Sequence, residues 1–282
     1  MPSLKEIRTR ISSVKSTQKT TSAMKMVSAA KLKRAENAIH AALPYSQKMR
    51  QVVSTLSSNF SEETHPLFRK AEGNRTAIIL ITSDRGLCGG YNVNLCKNLA
   101  GYIQQERLTD YQFYVIGRKG RDYFRKQGTF KKTFMGISPA DQYSVVQDIF
   151  SDCLNAFENR QIDRVVLAYN HFVSTVTQKP VITELLPIMP PADELQDERE
   201  TVFEPSLAEI LDTLLKKYVE NQIFVAWLDT IAGEHAARMM AMDSATKNAA
   251  EMIGKLQLFY NRSRQAAITK ELIEIISGAE SL

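Results

Sequence analysis

Both ends of this chain repeat their apolar positions at steps of three and four. From Ser3 to about Ser57 a comb runs through positions 7, 11, 14, 18, 21, 25, 28, 32, 35, 39, 42, 46, 49, 53 and 56, the heptad spacing of a helix with one buried seam. Its occupants open as Ile7, Ile11 and Val14 and later include Leu32, Ala35, Ile39, Ala42, Met49, Val53 and Leu56, with Pro44 the one interruption. In between, Gln18, Thr21, Lys25 and Ser28 are polar, and Met24, Met26 and Val27 fall beside the comb. The seam is therefore expected to weaken or rotate over residues 18–28, as it would where a third partner enters. From Ser206 to Leu282 there is no proline, and a second comb runs through Ala245, Ala249, Met252, Leu256 and Phe259. Ala245, Ala249, Ala250, Ala266 and Ala267 would let two backbones approach closely.

At 1.5 Å per residue these helices would be roughly 80 and 115 Å long. Helices of that length cannot bury a seam inside a small domain, so they are expected to bury it against each other. The prediction is an antiparallel coiled coil of residues 1–57 and 206–282, with a globular insert between them.

The insert has a different rhythm. RTAIILITSD (75–84) is an apolar, β-rich run ending in turn residues, and VNLCKNLAGYIQQE (93–106) is amphipathic. YQFYVIG (111–117) predicts a second strand, RKGRDYFRKQG (118–128) a short helix closed by Gly128, and SVVQDIFSDCLNAFENR (144–160) a longer one. DRVVLAYNHF (163–172) predicts another strand, and VSTVTQKPVITELLPI (173–188) one or two more. Strands and helices alternating at these intervals predict a parallel sheet covered by helices, over 75–188. MPPADELQDERE begins an acidic linker over 189–205.

Charge sharpens this picture. Residues 1–57 carry eleven bases against Glu6 and Glu36, a local charge of +9, which leaves −4 for the rest of a chain whose net charge is +5. A basic arm on a mildly acidic body faces an acidic partner: nucleic acid, anionic lipid or an acidic protein surface. The 44% hydrophobic and 24% charged composition is globular. No run approaches the length of a membrane span, and MPSLKEIRTR has no apolar core like a signal peptide's. A soluble protein of a reducing compartment is expected. Cys88, Cys96 and Cys153 lack metal or CxxC spacing and are expected to be small buried thiols.

Candidate chemistry is sparse. SDRGLCGGYN (83–92) sits between a strand and a helix, where α/β folds often bind phosphates. It has neither GxGxxG nor GxxxxGK[ST], so its glycines predict a tight turn, with Asp84 or Asn92 as a cap. The four histidines share no ligand spacing, and no serine or cysteine sits in a GxSxG elbow. KMVSAAKLKRAE (25–36) reads as a solvated face, a nucleic-acid contact or a docking surface, and the aromatic or glycine platforms usual in nucleic-acid readers do not accompany it. Arg238, Met239, Met240 and Met242 cannot all face one seam, so some of that surface is expected to meet another partner. The tail carries an apolar stripe, Ile268, Leu272, Ile275 and Ile276, beside Thr269, Glu271 and Glu274. Acidic residues at a helix C-terminus oppose its dipole, as expected of a tip seated inside a partner.

Three stretches carry a family resemblance. The tail Ile268-Thr269-x-Glu271-x-x-Glu274-x-x-x-Gly278-Ala279-x-Ser281, the opening LKEIRTRISSVKSTQKTTSAMKMVSAAKLKRAE and the loop SDRGLCGGYN resemble the γ subunits of F-type ATP synthases, over the whole chain. The resemblance implies an α/β fold class: a long antiparallel coiled coil formed by the N- and C-terminal helices, with an inserted, parallel-sheet, Rossmann-like α/β domain. It implies a non-catalytic rotor, without cofactor or metal, that turns inside a hexamer of α and β subunits and couples ion flow to ATP synthesis or hydrolysis. The ε subunit and the membrane c-ring are implied partners, with no nucleic acid and no membrane insertion. Met24, Lys25, Arg238, Arg264, Gln265, Thr269 and Glu271 match contacts to the hexamer, and the tip from Ile275 to Leu282, including Ile276, Gly278 and Ala279, matches a bearing. Absence of a regulatory cysteine pair disfavours the chloroplast form, and absence of a transit peptide favours the cytoplasmic face of a bacterial plasma membrane. Two rivals are a basic, nucleic-acid-associated coiled coil and a nucleotide-using enzyme built on the central domain.

Overall fold

The computed structural model describes residues 3–57, 65–69, 71, 73–189 and 207–280. The acidic linker expected over 189–205 lies outside the described residues beyond Met189, as do Ser206, Ser281 and Leu282 at the ends of the second expected helix. Helix α1 (Leu4–Ser57) begins with a capping box. The Ser3 hydroxyl accepts from the Glu6 N–H at 3.2 Å, and the Glu6 carboxylate accepts from the Ser3 N–H at 3.0 Å. The helix continues through Pro44. Pro44 and His40, one turn before it, are both exposed, so the carbonyl deprived of its N–H partner faces water. Helix α5 is continuous from Leu207 to Glu280.

The chain divides into two compact units, one of Met1–Ala29 with Arg238–Leu282, the other of Ala30–Ala237. In the first, the buried and half-buried positions of α1 follow the predicted comb, and the expected weakening over 18–28 does not occur. Thr21 and Ser28 are only 9% and 3% exposed. The Thr21 and Thr246 hydroxyls meet at 2.7 Å, and Lys25 reaches Asp243 at 2.6 Å. As numbers rise in α1 they fall in α5, so the pair is antiparallel. Thr21 and Lys25 sit in the seam because each faces a polar partner across it.

The second comb is corrected by one residue. Met242, Ala249 and Ile253 are buried, with Leu256, Tyr260, Ser263 and Ala267 half-buried. Met252 and Phe259, placed in the seam by sequence, are 47% and 42% exposed. Positions 249 and 256 belong to both combs, and the alternatives differ by about 100° around the helix.

The other unit is built on a five-stranded sheet of order β3-β2-β1-β4-β5: β1 (Thr76–Ile81), β2 (Tyr111–Ile116), β3 (Thr129–Phe134), β4 (Arg164–Phe172) and β5 (Gln178–Leu186). The first four are parallel, β1, β2 and β4 as expected, and β5 pairs antiparallel with β4. Strand β1 is buried throughout. Ile78 and Leu80 pack under α2 (Tyr91–Gln105) and α3 (Arg118–Phe124), while Ala77, Ile79 and Ile81 pack under α4 (Gln142–Glu158) and Leu211–Trp227 of α5. The three cysteines are buried free thiols. Strand β3 was not foreseen: TFKKTF is short, and its pairing with β2 skips Lys131 at a bulge. Gly117, between β2 and α3, has φ +96, and a Cβ there would lie 2.1 Å from the Thr82 carbonyl oxygen.

Candidate assembly interface

In a doubly wound sheet a ligand would sit outside the carboxyl ends of the strands where the chain order reverses, here between β1 and β4. The loop SDRGLCGGYN lies there, and side chains fill it. Asn92 accepts from the Ser83 N–H at 3.0 Å and donates to the Ser83 hydroxyl at 2.7 Å. Asp84 accepts from the N–H groups of Arg118 and Gly136 at 3.0 and 2.8 Å, tying together the ends of three strands. The expected tight turn therefore holds, whereas neither Asp84 nor Asn92 caps α2, whose N-cap is Gly90 without a side-chain cap hydrogen bond; both side chains cross-link the loop instead. Tyr91, 6% exposed, donates its hydroxyl to the Thr230 carbonyl of α5 at 2.8 Å. Buried Asn170 donates to the Tyr91 carbonyl at 3.2 Å. Burial pushes the Tyr91 phenol far above its ordinary range, so it stays a neutral donor. The crevice is thus closed by the chain's own helix.

The outward surface of the helix-pair unit is the opposite case. Met26 and Val27 on α1 are 65% and 56% exposed. On α5, Met252, Leu258, Phe259, Ile268, Leu272, Ile273, Ile275 and Ile276 are all between 42% and 68% exposed. Large apolar side chains exposed in this number on one helix mark an interaction surface rather than isolated surface residues.

The residues matched by resemblance fall in this unit. Arg264, Gln265, Thr269, Glu271, Ile275, Ile276 and Ala279 are exposed on α5, and Gly278 lies in its last turns. Met24 is half-buried and Arg238 is 6% exposed, within the seam region rather than beyond it. Lys25 is engaged by Asp243, which also holds Lys247 at 2.8 Å. Hydrogen bonds from Lys247 and then Lys25 bring the Asp243 carboxyl down to about 2 from an ordinary 3.8. The last turn of α5 has no basic residue, so its dipole mismatch stands. Sequence reasoning missed Leu258 and Ile273 as outward residues and placed Met252 and Phe259 inward. The signal was present, since two offset combs together imply apolar side chains on two faces.

Among the described residues, no group of three or more His, Cys, Asp or Glu side chains could hold a metal ion. No described helix is long and apolar enough to cross a membrane.

The family model described as ATP synthase matches residues 3–282. A protein of Trichlorobacter lovleyi named ATP synthase gamma chain is 46% identical over 286 residues, covering 100% of this chain and 99% of that relative. One of the same name from Pelotomaculum thermopropionicum is 43% identical, covering 100% of both. Among solved structures, the rotor of the Euglena gracilis mitochondrial ATP synthase superposes with a TM-score of 0.68 at 18% identity, over 94% of this chain and 98% of that one. The central stalk and c-ring structure from Tetrahymena thermophila gives a TM-score of 0.59 at 22% identity, over 80% and 99%. At such identities the structures speak for the fold, and the full-length sequence matches carry the assignment: the chain belongs to the ATP synthase gamma chain family.

Proposed function

We propose that this chain is the central stalk of a rotary ATP synthase, turning inside a hexamer of α and β subunits. It stands on the membrane c-ring with the ε subunit, at the cytoplasmic face of a bacterial plasma membrane. The observation that carries the reading is the run of exposed apolar side chains on α5 from Met252 to Ile276, a surface that needs an enclosing partner. In this reading residues 1–57 and 206–282 act as the shaft, 75–188 as the side domain and 189–205 as the linker between them.

The mechanism needs no catalytic group on this chain. One asymmetric shaft cannot contact three equivalent α/β pairs equally, so each β subunit meets a different face and takes a different nucleotide affinity. Rotation driven from the membrane ring permutes those faces and releases ATP, and hydrolysis runs the cycle backwards. The shaft couples the sites only through its differential contacts with open and closed β conformations. Arg264, Gln265, Thr269, Glu271, Met24, Lys25 and Arg238 are the proposed contacts, with Ile275, Ile276, Gly278 and Ala279 in the bearing. The basic arm of α1 meets acidic loops of the β subunits rather than nucleic acid.

The test is co-expression with α and β subunits. A purified hexamer holding one copy, with a filament on the side domain that turns when ATP is added, is the expected outcome. A chain that ignores α and β sinks the proposal. In the assembled complex, Arg264→Ala with Gln265→Ala should lower ATP synthesis while the isolated chain melts as wild type. Synthesis at the wild-type rate removes that pair from the contact set.

A further inference from the structure

A rotor driven through its side domain needs a joint there that does not slip. Resting on the rotor reading, we infer that Tyr91 is the key of that joint, locking the α/β sheet to helix α5 so that torque applied to the domain reaches the helix. Three elements converge on this residue. Its hydroxyl bonds the Thr230 carbonyl of α5 at 2.8 Å, its carbonyl takes the buried Asn170 amide of β4, and its chain position makes it the first residue of α2. The slot is shaped for it: Gly233 lies one turn on from Thr230, and a Cβ there would come 2.9 Å from the Tyr91 hydroxyl and 3.3 Å from Gln178 of β5. The next residues along β4 and α5 repeat the grip, where the Asp229 carboxylate accepts from the His171 ring. The loop Ser83–Gly90 holds Tyr91 in place through the Ser83–Asn92 pair.

A buried tyrosine hydroxyl ordinarily finds some partner, so a merely structural role is the bland alternative. What separates the two is direction. The contacts of Tyr91 join the sheet and helix α5, which the rotor must turn together: its hydroxyl reaches backbone on α5, and its own carbonyl is held by the Asn170 side chain of β4.

Tyr91→Phe keeps the ring and removes the hydroxyl, so the chain should fold and assemble. The measurement is the angular variance of a bead fixed to the side domain while the surface-held complex dwells between steps. Hydrolysis and ions pumped per ATP are read alongside. Tyr91→Phe should raise the variance about twofold, since the Thr230 carbonyl loses the donor that Tyr91 brings to it from α2, and should lower ions pumped per ATP at an unchanged hydrolysis rate. Gly233→Ala should raise it too, and by less in the Tyr91→Phe background, where the clash with the hydroxyl is gone. Variance and pumping ratio unchanged in both single variants, with only a lower melting temperature, overturn the inference and leave Tyr91 a packing residue. Failure of the rotor reading would look different: the wild-type complex itself would not turn.

Discussion

Ile253 and Met252 are adjacent in sequence, and truncating each to alanine separates the observed seam from the one the heptad pattern suggested. Ile253 is 9% exposed, against 47% for Met252. Truncating a buried isoleucine costs about 2–5 kcal/mol in a closed core, and a two-helix seam, packed on one side only, belongs near the lower limit. At about 2 kcal/mol the local opening equilibrium shifts roughly 30-fold. Met252→Ala removes little buried surface and gains a few tenths of a kcal/mol, roughly, in helix propensity, so its net effect is close to zero. Global melting is a poor readout, because a chain of two compact units need not unfold in one step. Amide exchange across residues 246–260 in the full chain reads local opening directly. Ile253→Ala should accelerate it by tens of fold and Met252→Ala should leave it unchanged. Equal acceleration by both, or a larger effect of Met252→Ala, refutes the seam as described.

Gly117→Ala should be among the most damaging single changes, because φ +96 and a Cβ 2.1 Å from the Thr82 carbonyl oxygen cannot both be relieved without moving β1 from β2. A loss above about 4 kcal/mol is expected from such strain, seen as insoluble expression or a large drop in melting temperature; near-wild-type melting would refute the geometry. The Asp243 carboxyl is held down to about 2 by Lys247 and Lys25, so its clamp is complete above the ordinary value of 3.8 and lost as pH falls through 2. An NMR titration of that carboxyl should show a midpoint well below 3.8 that climbs back in Lys25→Gln with Lys247→Gln. A wild-type midpoint at 3.8 would mean the clamp does not form in solution.

Much of this architecture is written in periodicity. The comb of α1 and the β-α alternation of the insert need no tertiary information, and both reappear with boundaries moved by a few residues. The misreadings share a cause, which is that a pattern lists one chain's residues without their partners. Thr21 and Ser28 looked like a broken seam until Thr246 stood opposite Thr21. Ala249 and Leu256 fit two combs, and only packing against α1 chooses between them. Strand β3 carries two lysines and a bulge, devices that protect a sheet edge and also erase its alternation. At the assembly surface, residue types were legible but their roles were not, because exposed apolar side chains acquire meaning only from an absent partner. Lys25 illustrates the limit: its charge was visible in sequence, whereas its engagement with Asp243 was not.

A fold that elsewhere cradles a small molecule here cradles part of itself. With Tyr91 and Thr230 in contact across the β1–β4 crevice, helix α5 behaves as a ligand that cannot diffuse away, since it is joined to β5 by the same polypeptide. Tethering of this kind corresponds to effective concentrations on the order of millimolar, so a contact too weak to capture a free helix stays occupied. Domain and shaft could therefore diverge in detail while remaining assembled, as long as the chain between them is whole. A cut in that connection would turn a permanent partnership into an ordinary binding equilibrium, with its own off-rate.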